Sequence, residues 1–315
     1  MQENNIPDQI RQVYDDIVSI KVQGATNVAL ATFHAIEEWA RATDIKDWLM
    51  FKDRAYAYAT MLANARPNEP LAKNGVKFMF TQLVMRHNDI HDVKSGMQVM
   101  IELAAEYTEL LKESKRQIVV HGVSALNHPK VVFTHCHSST AEAIITGVNQ
   151  ESKLTVIATE TRPLYQGRIT ATNLLKAGVK TVMIVDGAAP YFIKDDTNLP
   201  VDAVLLGADE ISIFGDTVNK VGSFSMGLSS YFASKPLYVV TPSLKLDLTT
   251  AYAPIKLEMR DGKEIWPEAP EGLEIINPAF DIVPHQFITG FITEFGVIKP
   301  VELEDKVRRA YEWVS

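Results

Sequence analysis

The chain has 315 residues, of which 46% are hydrophobic and 22% charged, with one cysteine and a net charge of −8 at pH 7. This length exceeds what one hydrophobic core usually organises, so two domains are expected, and the composition is that of a folded globular protein. The acidic balance excludes a broad basic face for nucleic acid, and a single cysteine excludes an intramolecular disulfide and a multi-cysteine metal site.

The first residues, Met1 to Asp16, are polar and lack the apolar core of a secretory signal. No later stretch reaches the roughly 18 uninterrupted apolar residues of a membrane span. A cytoplasmic chain with a reduced thiol and no membrane partner is therefore expected. From Asp8 to Arg116 apolar residues recur at helical spacing, as in Val28 to Ile36 and Met97 to Leu111, which predicts an all-helical N-terminal domain over residues 1–116. Arg66-Pro67-Asn68-Glu69-Pro70 interrupts the pattern and predicts a loop, because proline lacks an amide donor and biases the preceding residue away from helix.

From Gln117 onward, short apolar runs alternate with helical patterns: Val131 to Thr134, Leu154 to Ala158, Thr181 to Val185, Ala203 to Leu206 and Leu237 to Val240. Continuous apolar strands between helices predict an α/β architecture, with residues 117–315 forming a Rossmann-like domain around a mainly parallel sheet. Ligands on such sheets bind beyond the carboxyl ends of the strands, so the residues there carry the chemistry.

Cys136 follows the first strand and precedes a helical run, where the helix dipole and the flanking His135 and His137 would lower its pKa. A lone cysteine is more often a small buried apolar residue, but the strand-end position favours a reactive thiol. A zinc site at His135, Cys136 and His137 is disfavoured, because adjacent side chains of an extended segment point to opposite faces. Arg162, beyond the next strand and shortly before Gln166-Gly167-Arg168, offers a donor fork for phosphate or, alternatively, a surface ion pair. Asp209, beyond the Ala203 to Leu206 run, is a candidate general acid or base, with a turn aspartate as the alternative. Asn219-Lys220, between glycines, reads as the opening of a helix whose amides and lysine form an anion site, and Lys245 adds a cation at the same edge. Neither a Walker loop nor a GxGxxG fingerprint is present. One thiol, one carboxylate and several cations, with no metal cluster or cofactor motif, suit acid–base chemistry on a small phosphorylated molecule.

Gln23-Gly24-Ala25, Arg66-Pro67, Thr134-His135-Cys136, Glu160-Thr161-Arg162-Pro163, Gly207-Ala208-Asp209 and Asn219-Lys220-Val221-Gly222 occur in the order of one superfamily. Over nearly its whole length the chain resembles the methylthioribose-1-phosphate isomerases, the ribose-1,5-bisphosphate isomerases and the alpha, beta and delta subunits of translation initiation factor 2B. Leu257 to Asp261, Ile276 to Asp281, Phe291 to Ile298 and the run His135-Cys136-His137-Ser138 are similar to the ribose-1,5-bisphosphate isomerases in particular.

The resemblance implies conversion of ribose 1,5-bisphosphate to ribulose 1,5-bisphosphate in AMP salvage, without cofactor or metal. Cys136 and Asp209 would be the catalytic pair, with Gly24, Ala25, Arg66, His135, Ser138, Arg162, Asn219, Lys220 and Lys245 at the substrate. It also implies a homo-oligomer, a dimer or hexamer. Gln23 stands where the family's isomerases carry an arginine. Two other readings are an isomerase of another pentose 1-phosphate, such as methylthioribose 1-phosphate, and a non-catalytic subunit like those of the initiation factor. Retention of both Cys136 and Asp209 favours an enzyme.

Overall fold

A computed structural model describes residues 6–194 and 198–314. The chain forms two compact units, one drawn from Met1–Lys112 with Val307–Ser315, the other from Glu113–Lys306. This differs from the division expected at residue 116, because the C-terminal end groups with the helices. Trp313 packs edge-on against Phe78 at 5.2 Å, and Lys77 Nζ donates to the Val314 carbonyl at 2.6 Å.

The first unit is helical: α1 (Asp8–Val18), α2 (Ala25–Ala42), α3 (Trp48–Ala63), α4 (Pro70–Met85) and the start of α5 (Val93–Ala125). α2 buries Val28, Ala29, Phe33, Ile36, Trp39 and Ala40, the three- and four-residue spacing of one helix face. Trp39 stacks on Phe51 of α3 at 5.1 Å. Asp47 caps α3 by accepting from the Met50 amide at 2.7 Å, and α4 opens on Pro70, where a missing amide costs no helical hydrogen bond. Among the described residues no helix is long and apolar enough to cross a membrane.

The second unit continues with β1 (Val131–Thr134), α6 (Ser139–Glu151), β2 (Thr155–Thr159), α7 (Gln166–Lys176), β3 (Lys180–Ile184), α8 (Ala189–Ile193) and β4 (Ala203–Leu206). Next come β5 (Glu210–Ile211), β6 (Thr217–Lys220), α9 (Ser223–Phe232), β7 (Leu237–Val240), β8 (Met259–Arg260) and β9 (Asn277–Pro278). The last elements are β10 (Phe280–Val283), β11 (Gly290–Thr293), β12 (Gly296–Ile298) and α10 (Leu303–Ala310), whose final residues belong to the first unit.

A seven-stranded sheet has the order β12-β11-β7-β4-β1-β2-β3 and is parallel except where β12 runs against β11. The chain starts at β1, builds outward to β3 on one side and resumes at β4 on the other, so the order reverses between β1 and β4. Between β4 and its parallel neighbour β7 the chain first forms β5 and β6, which with β10 make a small antiparallel sheet, and then crosses over through α9. All four residues of β1 and of β4 are buried, as expected for strands covered on both faces. Their cluster includes Ile118, Ile144, Val156, Leu174, Ala203 and Leu205.

α7 packs so closely on β2 that a Cβ at Gly167 would lie 1.8 Å from the Thr159 carbonyl oxygen, whereas one at Gly187 would meet nothing within 4 Å. Gly167→Ala should therefore destabilise the protein by about 3 kcal/mol or more in urea unfolding, and Gly187→Ala should leave the midpoint unchanged or slightly higher.

Candidate active site

Cys136 follows β1 and Asp209 follows β4, so the two lie beyond the strands between which the sheet order reverses. That is the crevice where open α/β sheets bind ligands. The site is held by a ring just beneath it. His135 is 1% exposed; its Nε2 is 3.0 Å from the Val221 carbonyl and its Nδ1 2.6 Å from Thr159 Oγ1. A carbonyl can only accept, so Nε2 carries the proton and Nδ1 accepts from the Thr159 hydroxyl.

The directions then run on without conflict. Thr161 Oγ1 donates to Thr159 Oγ1 at 3.2 Å, and the Cys136 amide donates to Thr161 Oγ1 at 2.9 Å. Burial lowers the His135 pKa to about 4, so the ring is neutral. Both nitrogens of this ring, expected at the substrate, are engaged by the protein. Gly222 makes room for the ring: its φ is 107°, and a Cβ there would stand 3.3 Å from His135 Nε2.

Cys136 is half-buried and held at φ 65°, in the left-handed region, with Thr161 beside it at φ 63°. Such conformations are uncommon outside glycine and persist where surrounding bonds over-determine them. Here the bonds are those of the Cys136 amide and of its carbonyl, which accepts from Thr170 Oγ1 at 2.9 Å.

The expectation of a lowered thiol pKa is overturned. Burial pushes the Cys136 thiol up to about 11, with Asp209 and Asp186 adding to the rise and the Lys220 ammonium opposing it. The His137 amide also favours the thiolate, whereas its ring turns away to Thr170 Oγ1 at 3.1 Å and lies 3.5 Å from Glu142 Oε2.

Asn219 and Lys220 do not open a helix. They end the buried strand β6, and α9 starts at Ser223. Asn219 Nδ2 donates to Ser223 Oγ at 2.8 Å, and the Lys220 ammonium stands 4.8 Å from the centroid of the Phe280 ring. Ser138 caps α6, accepting from the Ala141 amide at 3.3 Å. A Cβ on Gly207 would come within 3.2 Å of Ser138 Cβ and 3.7 Å of Asn219 Oδ1, so the ends of β4 and β6 and the start of α6 converge here. Lys245 Nζ donates to the Ala208 carbonyl, placing its ammonium next to Asp209 in the chain.

Arg162 is oriented from below by Asp186, whose carboxylate accepts from the Thr161 and Arg162 amides at 2.7 and 2.6 Å. Its guanidinium donates to Tyr165 Oη at 2.5 Å and to the Ile265 carbonyl at 2.9 Å, so part of the expected phosphate fork is engaged by protein. Gln166, read in the sequence only as part of a glycine-containing turn, has a buried Oε1 without a hydrogen-bond partner among the described residues. An unmet buried acceptor at the start of α7 suits a substrate hydroxyl. In the helical unit, Gly24 precedes α2 as its N-cap residue at φ 85°, Ala25 is buried, and Arg66 is a buried guanidinium 3.0 Å from Glu69. Among the described residues no group of three His, Cys, Asp or Glu side chains is placed to hold a metal ion.

Residues 21–300 match the model of the initiation factor 2 subunit family. The chain belongs to that family. A ribose 1,5-bisphosphate isomerase of Archaeoglobus fulgidus is 32% identical over 93% of this chain and 90% of its own length. A methylthioribose-1-phosphate isomerase of a Thermoanaerobacter species is 30% identical, covering 92% of this chain and 87% of its own. The fold is that of a Pyrococcus horikoshii translation initiation factor eIF-2B, with a TM-score of 0.79 at 23% identity over 94% of this chain and 98% of that one.

In this member of the initiation factor 2 subunit family, the neutral His135 ties acid stability to the site. Its pKa is near 4 when folded and 6.5 in the reference state, so the unfolded chain binds the extra proton first as pH falls. Its contribution is complete above pH 6.5 and is lost as pH falls through about 4. Urea midpoints should show this loss in the wild type, and His135→Gln, which keeps a donor and an acceptor but cannot titrate, should show less of it in that window.

Proposed function

We propose that this protein is an aldose–ketose isomerase of a phosphorylated pentose, with ribose 1,5-bisphosphate as substrate and ribulose 1,5-bisphosphate as product. The observation that carries the reading is the placement of Cys136 and Asp209 beyond adjacent strands at the reversal of the sheet, with Lys220 acting on the thiol. The names of the relatives supply the substrate class.

With the 1-phosphate in place the sugar is a closed furanose. Asp209, as the acid, gives its proton to the ring oxygen while the C1–O4 bond breaks. Cys136, as thiolate, takes the C2 proton, and that electron pair forms the C1–C2 double bond of an enol phosphate. The Asp209 carboxylate then removes the C2 hydroxyl proton as the C2 carbonyl forms, and the Cys136 thiol protonates C1. Both groups return to their starting states, so neither oxidant nor reductant is consumed.

In the ligand-free protein the thiol holds its proton at neutral pH; the cycle begins when that proton passes to the Asp209 carboxylate, a transfer that the Lys220 ammonium favours by stabilising the thiolate. Lys220, Lys245, Arg162, Asn219 and Ser138 would hold phosphate and hydroxyl oxygens, and Gln166 Oε1 would accept from a sugar hydroxyl. Gly24, Ala25 and Arg66 are proposed phosphate ligands on the strength of the resemblance, as is a cytoplasmic homo-oligomer.

A second substrate is favoured by one observation. Arg66 is paired with Glu69 and Gln23 is uncharged, which reduces the cationic charge for a second phosphate and suits a singly phosphorylated pentose such as methylthioribose 1-phosphate. Initial rates on both sugars decide between them. Cys136→Ser and Asp209→Asn should each cut kcat on the preferred sugar by about 10³-fold or more with circular dichroism unchanged, within the span of acid–base catalysis. Activity within tenfold of wild type in either variant would remove that residue from the mechanism.

A further inference from the structure

Asp281 is not among the expected site residues, yet it closes the turn that carries Lys220. On β10, Phe280 lies opposite Lys220 and Asp281 opposite Asn219 in the antiparallel ladder with β6. The Asp281 carboxylate accepts from the Gly222 amide at 2.7 Å and from the Phe224 amide at 3.0 Å. The amino end of α9 is thus closed by a carboxylate of the protein itself, where the sequence suggested an anion site for ligand. Burial holds this carboxyl up at about 6 even against two donated amides, a cost the fold carries at this position.

The turn so pinned holds two groups of the site. Val221 supplies the carbonyl for His135 Nε2, and Ser223 Oγ donates to the Lys220 carbonyl at 2.7 Å. The Lys220 ammonium beyond it acts on both the Cys136 thiol and the His135 ring. The Phe280 face of Lys220 favours a cation but offers no directed acceptor, so the ammonium takes its position from the backbone.

We propose that Asp281 is a positioning residue which, by holding the Gly222 and Phe224 amides, seats the Lys220 ammonium against the Cys136 thiol. Its effect on turnover rests on the isomerase reading; its effect on the thiol does not.

Cys136 is the only cysteine of the chain, so alkylation by iodoacetamide across pH reports its ionisation in the full-length protein. The charged groups acting on it are Lys220, Asp209 and Asp186, with His135 neutral beside them. Asp281→Asn keeps the size of the side chain but sets an amide against one of the two donors. The midpoint of the alkylation profile should move up by about one pH unit, as expected when a cation is lost from an acid's surroundings. Lys220→Met should move it the same way, and the double variant should match Lys220→Met alone, because the two act through one group. The kcat on ribose 1,5-bisphosphate should fall at least tenfold in Asp281→Asn.

The sign makes the test decisive. Loss of a negative charge by itself moves the midpoint down, and a downward shift, an unmoved midpoint or an additive double variant each overturns the proposal. Should Asp281→Asn lose its circular dichroism, Phe224→Pro removes one of the two amides within the first turn of α9, where the amide has no partner in the helical ladder. An upward shift there supports the proposal and none overturns it. A wild type that turns over no pentose phosphate but shows the upward shifts leaves the positioning role standing and removes the isomerase reading.

Discussion

The hydrogen bond from His135 Nε2 to the Val221 carbonyl joins the end of β1 to the turn after β6, and most of the site geometry depends on it. On its other side the same ring accepts from Thr159 at the end of β2, so one side chain braces three strand ends. A ring in this role must be neutral. Protonation would place a second donor against Thr159 Oγ1, which already directs its own hydrogen there, and would put an unpaired charge in a buried position. Burial lowers the pKa and so keeps the tautomer that the network requires. Gly222 and the two left-handed residues Cys136 and Thr161 are local consequences, the first leaving room for the ring and the others bending the chain toward it.

Above that brace the charges are arranged around a thiol that resists ionisation. Desolvation and two nearby carboxylates raise its pKa, and Lys220 and the His137 amide draw it down. The balance makes the thiolate a species formed when the site needs it, and it gives the position of one ammonium unusual weight. The turn that holds Lys220 is fixed by a carboxylate from β10, so the small antiparallel sheet inserted ahead of α9 is the frame for the cationic side of the site. Asp186 does the same on the opposite side, fixing the backbone of Thr161 and Arg162.

Much of this was legible in the sequence, for identifiable reasons. Val131 to Thr134, Ala203 to Leu206 and Leu237 to Val240 read as strands because a sheet covered on both faces needs unbroken apolar runs. Cys136 and Asp209 could be picked out because they directly follow such runs. β6 was missed: Thr217-Val218-Asn219-Lys220 has a single apolar residue, and the strand is visible only in its pairing with β5 and β10. The direction of the thiol shift was misread because a helix start is visible in a sequence whereas desolvation by distant elements is not. Asp281 escaped notice since the amide it caps at Gly222 is 59 residues away in the chain. The return of the C-terminus to the helical unit depends on a tryptophan meeting Phe78, a contact that no local pattern records.

The proton path is the central claim, and isotope tracing of the preferred sugar, deuterated at C2 and converted in ordinary water, tests it most directly. If Cys136 carries the proton from C2 to C1, NMR of the ketose will show C2 stripped of deuterium and C1 bearing a mixture of deuterium and solvent hydrogen, because a thiol exchanges part of what it holds. Deuterium that stays wholly at C2 would mean that no isomerisation occurs, and transfer to C1 that persists unchanged in the residual turnover of Cys136→Ser would mean a direct shift in which the thiol takes no proton.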